Sequence, residues 1–312
     1  MPKPNFPQKL LLASPRGFCA GVKRALDVLN EVIKKYPTQK IYCYHEIVHN
    51  THVVKDFENR GVIFVNSLDE VPKGSVLVFS AHGVSPQMTK EALDKDLKFI
   101  DATCPYVLKT HQEVKKYASE GFRIIYLGRT GHDEAVGTTG EAPDKTILIE
   151  SLEQAQNLEI PKGKVALVTQ TTLSFDETEN IRQTLKKKFP EILEPPKSDI
   201  CMATQNRQNG VKEMVKNGAE IIVVLGSPNS SNSKNLRKTA QDLGAEAYLI
   251  DDVSEIAESM FLKKKCVGLT AGASLPENKM QEALEWFKKA GSFQIQEVVV
   301  ADESQITFTP PQ

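Results

Sequence analysis

Three cysteines each follow a short strand-like run and precede a helical pattern. They are Cys19 in PRGFCAGVKRA, Cys104 in DATCP and Cys201 in DICMATQNRQ. Because the dipole at the start of a helix stabilises negative charge, a thiolate there is a candidate nucleophile or metal ligand. A single cysteine is nevertheless more often a small buried hydrophobic residue. One such position alone does not distinguish these three roles.

Two further motifs follow each cysteine in the same order and at nearly the same spacing. The first repeated motif stands in CYHEIVHN, IIYLGRTGHDEAVG and IIVVLGSPNSSNSK, and the second in VLVFSAHGVS, ALVTQTTLS and CVGLTAGAS. Each is a strand-like run that ends in small polar residues. This threefold recurrence predicts three similar domains, since the period is too long for a solenoid repeat.

The elements that must position these motifs alternate between apolar strands and amphipathic helices. Val22, Ala25 and Leu29 fall on one helical face after Cys19. Runs such as IIVVLG and VLVFS are apolar throughout, which is typical of parallel strands covered on both faces. We therefore predict an α/β fold of three similar small α/β domains with mainly parallel sheets, arranged with pseudo-threefold symmetry around a central site. The predicted units are 15–100, 101–197 and 198–312, the last with a C-terminal tail and joined by an N-terminal strand at 9–14.

Three cysteines that meet at such a centre favour a soft metal. Zinc usually recruits a fourth cysteine or a histidine. A 4Fe-4S iron-sulfur cluster held by Cys19, Cys104 and Cys201 instead keeps one iron open, where it acts as a Lewis acid toward a substrate. Cys43 and Cys266 lie inside strand-like runs outside the repeat, so we expect both in the core.

The polar motifs are rich in His, Ser, Thr and Asn and poor in Lys and Arg. GSPNSSNSK has the pattern of a strand-to-helix turn, whose free N–H groups and hydroxyls can bind a phosphate. The candidate donors are His49, His82, Ser230, Ser231, Asn232 and Ser274. The alternative is that NSSNS only caps a helix.

The segment GHDEAVG adds His132 and two carboxylates. Glu134 is a candidate general acid, because a carboxyl group in a partly desolvated site holds a proton near neutral pH. Asp133 is the competing candidate, and the spacing does not separate the two. The alternative for both is a surface loop of solvated acids. We expect the remaining histidines, which have no equivalents in the other units, to be structural: His45, His52 and His111.

The composition excludes several classes of protein. The 312 residues carry a formal net charge of -1, which gives no electrostatic reason for binding nucleic acid or an anionic membrane. The five cysteines are few and widely spaced, which argues against a disulfide framework. No apolar run is long enough for a membrane span or a secretory signal, so we expect a cytoplasmic protein.

Taken together, the motifs resemble those of the LytB (IspH) family of 4-hydroxy-3-methylbut-2-enyl diphosphate reductases. The resemblance runs from Leu10 to Ser274 and is carried by PRGFCAGVKRA, HEIVHN, FSAHGVS, DATCP, GHDEAVGT, TQTTLS, DICMATQNRQ, GSPNSSNS and TAGAS. It implies the last step of the methylerythritol phosphate route to isoprenoids, in which an allylic diphosphate loses its hydroxyl group and gives isopentenyl and dimethylallyl diphosphates. It also implies two electrons from an external donor such as a ferredoxin or a flavodoxin.

The resemblance further implies a role for each matching residue. The cluster ligands match Cys19, Cys104 and Cys201, the proton-delivering acid matches Glu134, and the threonine beside it matches Thr171. The diphosphate contacts match His49, His82, His132, Ser230, Ser231, Asn232 and Ser274. Asp133 and Pro228 stand where a proline and a basic residue are common in the family, and neither has an assigned role.

Two other classes of protein share parts of this pattern. A hydro-lyase of the aconitase kind also uses an open iron but needs no external electrons. A diphosphate-binding or iron-sensing protein needs no acid at the cluster. Redox dependence separates the hydro-lyase from the reductase, and Glu134 separates a pure binder from a reductase. We rank the reductase first.

Overall fold

The computed structural model describes residues 6–291 and 293–310 of the chain. Its strands are β1 (Lys9–Ser14), β2 (Ile41–Tyr44), β3 (Val62–Val65), β4 (Val76–Phe79), β5 (Lys98–Asp101), β6 (Arg123–Leu127), β7 (Thr146–Ile149), β8 (Val165–Thr169), β9 (Ile221–Leu225), β10 (Glu246–Ile250), β11 (Cys266–Ala271) and β12 (Gln294–Val299). Its helices are α1 (Ala20–Lys35), α2 (Thr51–Asn59), α3 (Pro86–Asp94), α4 (Pro105–Ser119), α5 (Asp133–Thr139), α6 (Leu152–Asn157), α7 (Phe175–Lys188), α8 (Met202–Lys216), α9 (Ser231–Asp242) and α10 (Glu277–Ala290).

Contacts between residues divide the chain into two compact units. The first consists of Met1–Val22, His49–Lys55 and Met202–Thr307, and the second of Lys23–Val48, Asp56–Cys201 and Phe308–Gln312. The first unit holds a five-stranded sheet with strand order β10-β9-β11-β1-β12. The second unit holds a four-stranded sheet, β3-β2-β4-β5, and a three-stranded sheet, β7-β6-β8.

Every pairing between these strands is parallel. In the five-stranded sheet β1 lies between β11 and β12, and Leu10 stands opposite both Val267 and Ile295. The most N-terminal strand of the described chain is therefore held by two strands from its C-terminal end.

The central strands bury both of their faces, as parallel sheets with helices on either side require. Strand β9 is buried along its whole length. In β1, Leu10 and Leu12 pack into the core cluster that contains Phe287 of α10. The intervening Leu11 packs into the cluster that contains Met214 of α8. Because successive side chains of a strand point to opposite faces, β1 serves both cores, and each buried leucine contributes about 1.5–3 kcal/mol relative to an exposed one.

Residues 300–310 follow β12 without forming a helix or a strand, and a buried arginine of α8 pairs with one of them. Arg207 of α8 is fully buried, and its Nη2 donates to the Gly17 carbonyl at 2.8 Å. Its Nη1 lies 3.1 Å from Glu303 Oε1. A buried guanidinium needs such a carboxylate, because an unpaired charge in the interior is strongly destabilising.

The predicted α/β class with small parallel sheets is confirmed. Cys43 in β2 and Cys266 in β11 are buried, so their expected core positions are also confirmed. The boundaries 15–100, 101–197 and 198–312 stay a prediction, and residues 292, 311 and 312 of the last unit lie outside the described residues.

Among the described helices we find none with the length and apolar character of a membrane span. The cytoplasmic location stays a prediction.

Candidate functional site

Each of the three repeated cysteines stands directly before a helix. Cys19 precedes α1, Cys104 is the N-cap of α4, and Cys201 precedes α8. The backbone N–H of each donates to a carbonyl of the second repeated motif: Cys19 to Ala273 at 3.1 Å, Cys104 to Ala81 at 3.0 Å and Cys201 to Thr171 at 3.0 Å. The three cysteines are therefore equivalent in their backbone contacts, which their spacing in the sequence did not establish.

At Cys19 and Cys104 these hydrogen bonds continue the parallel pairing of the strands before them. The strand-like run expected before Cys201 is wrong, because residues 194–200 form no strand and only Leu193 makes a bridge. Strand β1 pairs with β11, β5 pairs with β4, and Leu193 forms an isolated bridge with Ala166 of β8. One member of each pair leads to a cysteine and the other to a second motif. Because parallel strands end at the same edge of a sheet, the cysteine and the motif lie together beyond the carboxyl ends, where α/β sheets bind ligands.

The repeated cysteines differ from the core cysteines in exposure. The repeated thiols are half-buried, whereas Cys43 and Cys266 are buried. Burial raises the pKa of both buried thiols, so these two stay protonated and are poor metal ligands. At Cys19, the Val22 N–H donates to Sγ at 3.5 Å.

Glu134 is a buried carboxyl group held by a threonine of the second repeated motif. Glu134 is 1% exposed. Its Oε1 accepts the Thr171 backbone N–H at 2.7 Å, and its Oε2 accepts the Thr171 hydroxyl at 2.9 Å. Burial raises the pKa of Glu134 to about 7, although the two hydrogen bonds from Thr171 act in the opposite direction. The alternative of a solvated surface loop is therefore wrong for Glu134.

Asp133 is the first residue of α5 and has a different environment from Glu134. Its Oδ1 lies 2.7 Å from His45 Nδ1, and its Oδ2 lies 3.8 Å from His82 Nδ1. The hydrogen bond between His45 and the Asp133 carboxylate is the largest effect that raises the pKa of His45. A carboxylate paired with a histidine in this way orients the ring. Of the two acids in GHDEAVG, Glu134 is the one buried against the second repeated motif.

His82 and His132, both candidate phosphate donors, meet in the second unit. Their rings contact edge to face with centroids 5.9 Å apart. His132 Nδ1 accepts the Glu134 backbone N–H at 3.2 Å, which places the proton of the neutral ring on Nε2. His82 Nδ1 lies 3.2 Å from the Ser80 hydroxyl. The second unit thus brings two imidazoles to the start of the helix that carries the acid.

The other candidate phosphate donors stand on three connected loops of the first unit. The Ser274 hydroxyl donates to the His49 carbonyl at 2.9 Å. The Ala273 N–H donates to Asn232 Oδ1 at 3.0 Å. Ser230 is the N-cap of α9, and its Oγ accepts the Ser233 N–H at 3.3 Å. Helix capping by this motif is therefore confirmed, and the same turn stays a candidate anion site.

The Asn232 side chain supplies an observation that points to a ligand. Because its Oδ1 accepts from Ala273, its NH₂ group is turned the other way, and among the described residues this group has no acceptor. Asn232 is 5% exposed, so the missing hydrogen bond is unfavourable unless an anion or water supplies it. Glycine is required at Gly226 and Gly272 beside it, because a Cβ at either would collide with Ser233 Oγ.

Two histidines without equivalents in the other units make structural contacts, as expected. His52 Nε2 lies 2.8 Å from the Asp251 carbonyl. His111 is buried, and its Nδ1 lies 2.7 Å from Glu141 Oε1. The third, His45, pairs with Asp133 as described above. All three hold loops rather than presenting a free imidazole.

A fourth repeated motif was missed in the sequence. NSLDE, ESLEQ and DDVSE follow β3, β7 and β10. In each, the side chain of the last residue accepts the backbone N–H of the first: Glu70 from Asn66 at 2.9 Å, Gln154 from Glu150 at 2.7 Å and Glu255 from Asp251 at 2.9 Å. The signal was the capping-box pattern of a small polar residue followed three positions later by Glu or Gln. It fixes the first residue of each motif at the carboxyl end of a strand.

An ion-paired cluster behind the second motif was also missed. Asp199 Oδ2 accepts the Thr169 N–H at 2.9 Å, and its Oδ1 lies 2.7 Å from Lys109 Nζ. Lys109 also lies 2.9 Å from Glu113 one helical turn along α4. Burial and the neighbouring Asp199 raise the pKa of Glu113 to about 7. The spacing of four residues between Lys109 and Glu113 predicts their ion pair on a helix, whereas nothing in the sequence indicates the contact with the distant Asp199.

The fold and the candidate site define a parallel α/β protein in which the buried Glu134 is held by Thr171, whose carbonyl accepts the Cys201 N–H. The family model of the LytB protein matches residues 10–288, and the chain belongs to this family. The resemblance seen in the motifs is thereby confirmed, and the chain is an oxidoreductase.

Named relatives and solved structures agree with this assignment. The chain is 47% identical over 298 residues to the 4-hydroxy-3-methylbut-2-enyl diphosphate reductase of Rhodopirellula baltica. The matched region covers 95% of this chain and 93% of the relative. It is 44% identical over 312 residues to the reductase of the same name from Acidothermus cellulolyticus, and this match covers 99% of this chain and 91% of the relative. The E-1-hydroxy-2-methyl-but-2-enyl-4-diphosphate reductase of Plasmodium falciparum matches with a TM-score of 0.95 at 37% identity, covering 98% of this chain and 96% of that one.

Proposed function

We propose that the chain reduces (E)-4-hydroxy-3-methylbut-2-enyl diphosphate to isopentenyl and dimethylallyl diphosphates, the last step of the methylerythritol phosphate pathway. In this reaction the allylic C–O bond breaks, two electrons and two protons are taken up, and the oxygen leaves as water. The observation that carries the proposal is the buried Glu134–Thr171 pair, whose Thr171 carbonyl also accepts the Cys201 N–H. A pure binding protein has no use for a protonated acid at that position.

The cysteines are suited to an iron-sulfur cluster. Cys19, Cys104 and Cys201 are half-buried thiols in equivalent backbone positions, each next to the start of a helix. We infer that all three bind one 4Fe-4S cluster. Three cysteine ligands leave one iron with an open position, so the bound cluster would supply both electron transfer and a Lewis acid. An external carrier such as a ferredoxin or a flavodoxin would deliver the electrons.

The diphosphate group would be bound by neutral donors and imidazoles. The proposed contacts are His49, His82, His132, Ser230, Ser231, Asn232 and Ser274. Support comes from the unpaired NH₂ of Asn232 and from the start of α9, where backbone N–H groups and the helix dipole favour an anion. Holding the diphosphate end fixes the position of the allylic alcohol at the other end of the substrate.

Glu134 would deliver a proton to the departing oxygen. With a pKa of about 7, the carboxyl group is protonated in a substantial fraction of molecules at neutral pH. The two hydrogen bonds from Thr171 hold the carboxyl group in one orientation and stabilise the carboxylate left after proton transfer. Thr171 would thus set both the orientation and the proton affinity of the Glu134 carboxyl group.

An anaerobic assay of protein reconstituted with iron and sulfide tests the proposal. We expect that the hydroxylated allylic diphosphate makes the protein oxidise a reduced viologen dye and that both C5 diphosphates accumulate. Conversion of the substrate without dye oxidation would instead establish a hydro-lyase. Tight binding of the substrate without any conversion, by protein shown to hold its cluster, would establish a binding or sensing protein. Either of these two results refutes the reductase.

A further inference from the structure

A carboxylate outside the proposed contacts ties two of their loops together. Asp251 follows β10, and its Oδ1 accepts the Ser227 hydroxyl at 2.6 Å while its Oδ2 accepts the Thr51 hydroxyl at 2.6 Å. The Thr51 backbone N–H donates to Ser227 Oγ at 3.0 Å. Ser227 begins the turn that leads into α9, and Thr51 stands two residues after His49. Asp251 therefore fixes the turn against the loop of His49.

The fold holds Asp251 itself in place through its backbone. Its N–H donates to Glu255 Oε1 at 2.9 Å, and its carbonyl lies 2.8 Å from His52 Nε2. The carboxylate is one-quarter exposed, so its hydrogen bonds to the two hydroxyls are largely shielded from water. Hydrogen bonds to a charged group are stronger than those between neutral groups, so this pair favours one arrangement of the two loops.

The second unit contains the same kind of contact at the corresponding position. Glu150 follows β7 as Asp251 follows β10, and its carboxylate accepts the Thr130 N–H at 3.0 Å and the Thr130 hydroxyl at 3.2 Å. Thr130 stands two residues before His132, another proposed contact of the diphosphate. The recurrence indicates that an acid in the fourth motif organises the turn after the neighbouring strand. Asp251 does more than Glu150, because it joins two loops.

We propose that Asp251 is a positioning residue for the diphosphate group of the substrate. It sets Ser230, Ser231 and Asn232 against His49, so that their donors are arranged before the anion arrives. The inference rests on the proposed function, which assigns these donors to the diphosphate. Preorganised donors bind more tightly because less ordering is needed on binding. A carboxylate near an anion also repels it, so its charge alone would weaken binding. The two effects have opposite signs and can be separated by substitution.

Binding of inorganic pyrophosphate to the reconstituted protein, measured by calorimetry, tests the inference. Asp251→Asn keeps the shape of the side chain but replaces one acceptor with a donor, so one of the two hydroxyls loses its partner. We expect pyrophosphate to bind about tenfold more weakly, which corresponds to about 1.4 kcal/mol. In turnover we expect KM to rise by a similar factor with kcat nearly unchanged, because only uniform binding is lost.

The matched control is Asp252→Asn, which removes the same charge one residue further along. The Asp252 carboxylate accepts the Ser254 N–H and lies 3.4 Å from Lys279, and we expect this variant to bind pyrophosphate as the unsubstituted protein does. A second pair of variants, at Thr51, keeps the inference testable if Asp251→Asn does not fold. Thr51→Val, which lacks the hydroxyl, should weaken binding, whereas Thr51→Ser, which keeps it, should not.

Two outcomes would overturn the inference and are distinguishable. If Asp251→Asn binds pyrophosphate as tightly as Asp252→Asn, or more tightly, Asp251 does not position the donors. If the unsubstituted protein itself does not bind pyrophosphate, the proposed diphosphate site is wrong, and so is the proposed role of Asp251.

Discussion

Removing the hydroxyl of Thr171 should raise the pH at which the enzyme loses activity. The Thr171 hydroxyl donates to Glu134 Oε2 at 2.9 Å and so lowers the pKa of this buried carboxyl group. Thr171→Val keeps the branched shape of the side chain and leaves the backbone hydrogen bond to Oε1 intact. A hydrogen bond to a charged group contributes about 1.5–3 kcal/mol, and 1.36 kcal/mol corresponds to one pKa unit. We therefore expect the pKa of Glu134 to rise from about 7 by roughly one unit or more.

The sign of the effect on catalysis follows from the role of Glu134 as an acid. Activity requires the protonated form, so kcat/KM falls as the pH rises through the pKa of the carboxyl group. A higher pKa moves this alkaline limb to higher pH, even if the maximum rate of the variant is lower. The assay is the pH profile of kcat/KM under anaerobic conditions. A shift to lower pH, or no shift, would refute the account of how Thr171 sets the proton affinity of Glu134.

A control variant separates this effect from the general loss of a buried hydroxyl. Thr178 of α7 is also buried, and its hydroxyl donates to the Phe175 carbonyl at 3.0 Å within the helix. Thr178→Val should leave the alkaline limb where it is. An equal displacement in both variants would show that the limb reports overall stability rather than the proton affinity of Glu134.

Three further predictions concern the acid, the cluster ligands and the buried arginine. Glu134→Gln should lower kcat by about 10²–10⁴ and abolish the alkaline limb while pyrophosphate still binds; turnover near the normal rate would remove Glu134 from the mechanism. Cys104→Ser should lose most of its reconstituted iron and Cys43→Ser should keep it, and equal iron contents would contradict the ligand assignment. Glu303→Ala should lower the free energy of unfolding by about 3–5 kcal/mol, because it leaves the charge of Arg207 buried without a carboxylate; an unchanged urea midpoint would show that this ion pair contributes little.

The sequence was most informative where function depends on local motifs. Apolar runs such as β9 are recognisable as buried parallel strands, and the cysteines could be aligned because each stands directly before a helix. The repeats also located the turn before α9, since Ser230 and its neighbours follow an apolar strand without interruption. These features depend on neighbours in the chain, and such signals survive in a single sequence.

Contacts between distant residues could not be predicted in the same way. The carboxylate of Asp251 reaches Thr51 across 200 positions of the chain, and Arg207 meets Glu303 from a different element. The choice between Asp133 and Glu134 also needed the fold, because adjacent acids on a helix point in different directions. Only packing shows that one is held by histidines and the other is buried against Thr171. Spacing carries no information about such pairings.

Because β1 is held between β11 and β12, the order in which the ribosome makes the chain matters for its folding. Strand β1 is synthesised before the other described strands, and its partners β11 and β12 are made after all the rest of them, so Leu10, Leu11 and Leu12 remain uncovered while the strands between are made. Most of the second unit is made in that interval and can fold before the five-stranded sheet of the first unit is complete. An apolar strand with two open edges can pair with other chains, so β1 of the nascent protein is where a chaperone should bind. A circular permutant that begins after β1 and carries β1 behind β12 would shorten this exposure without altering the finished sheet.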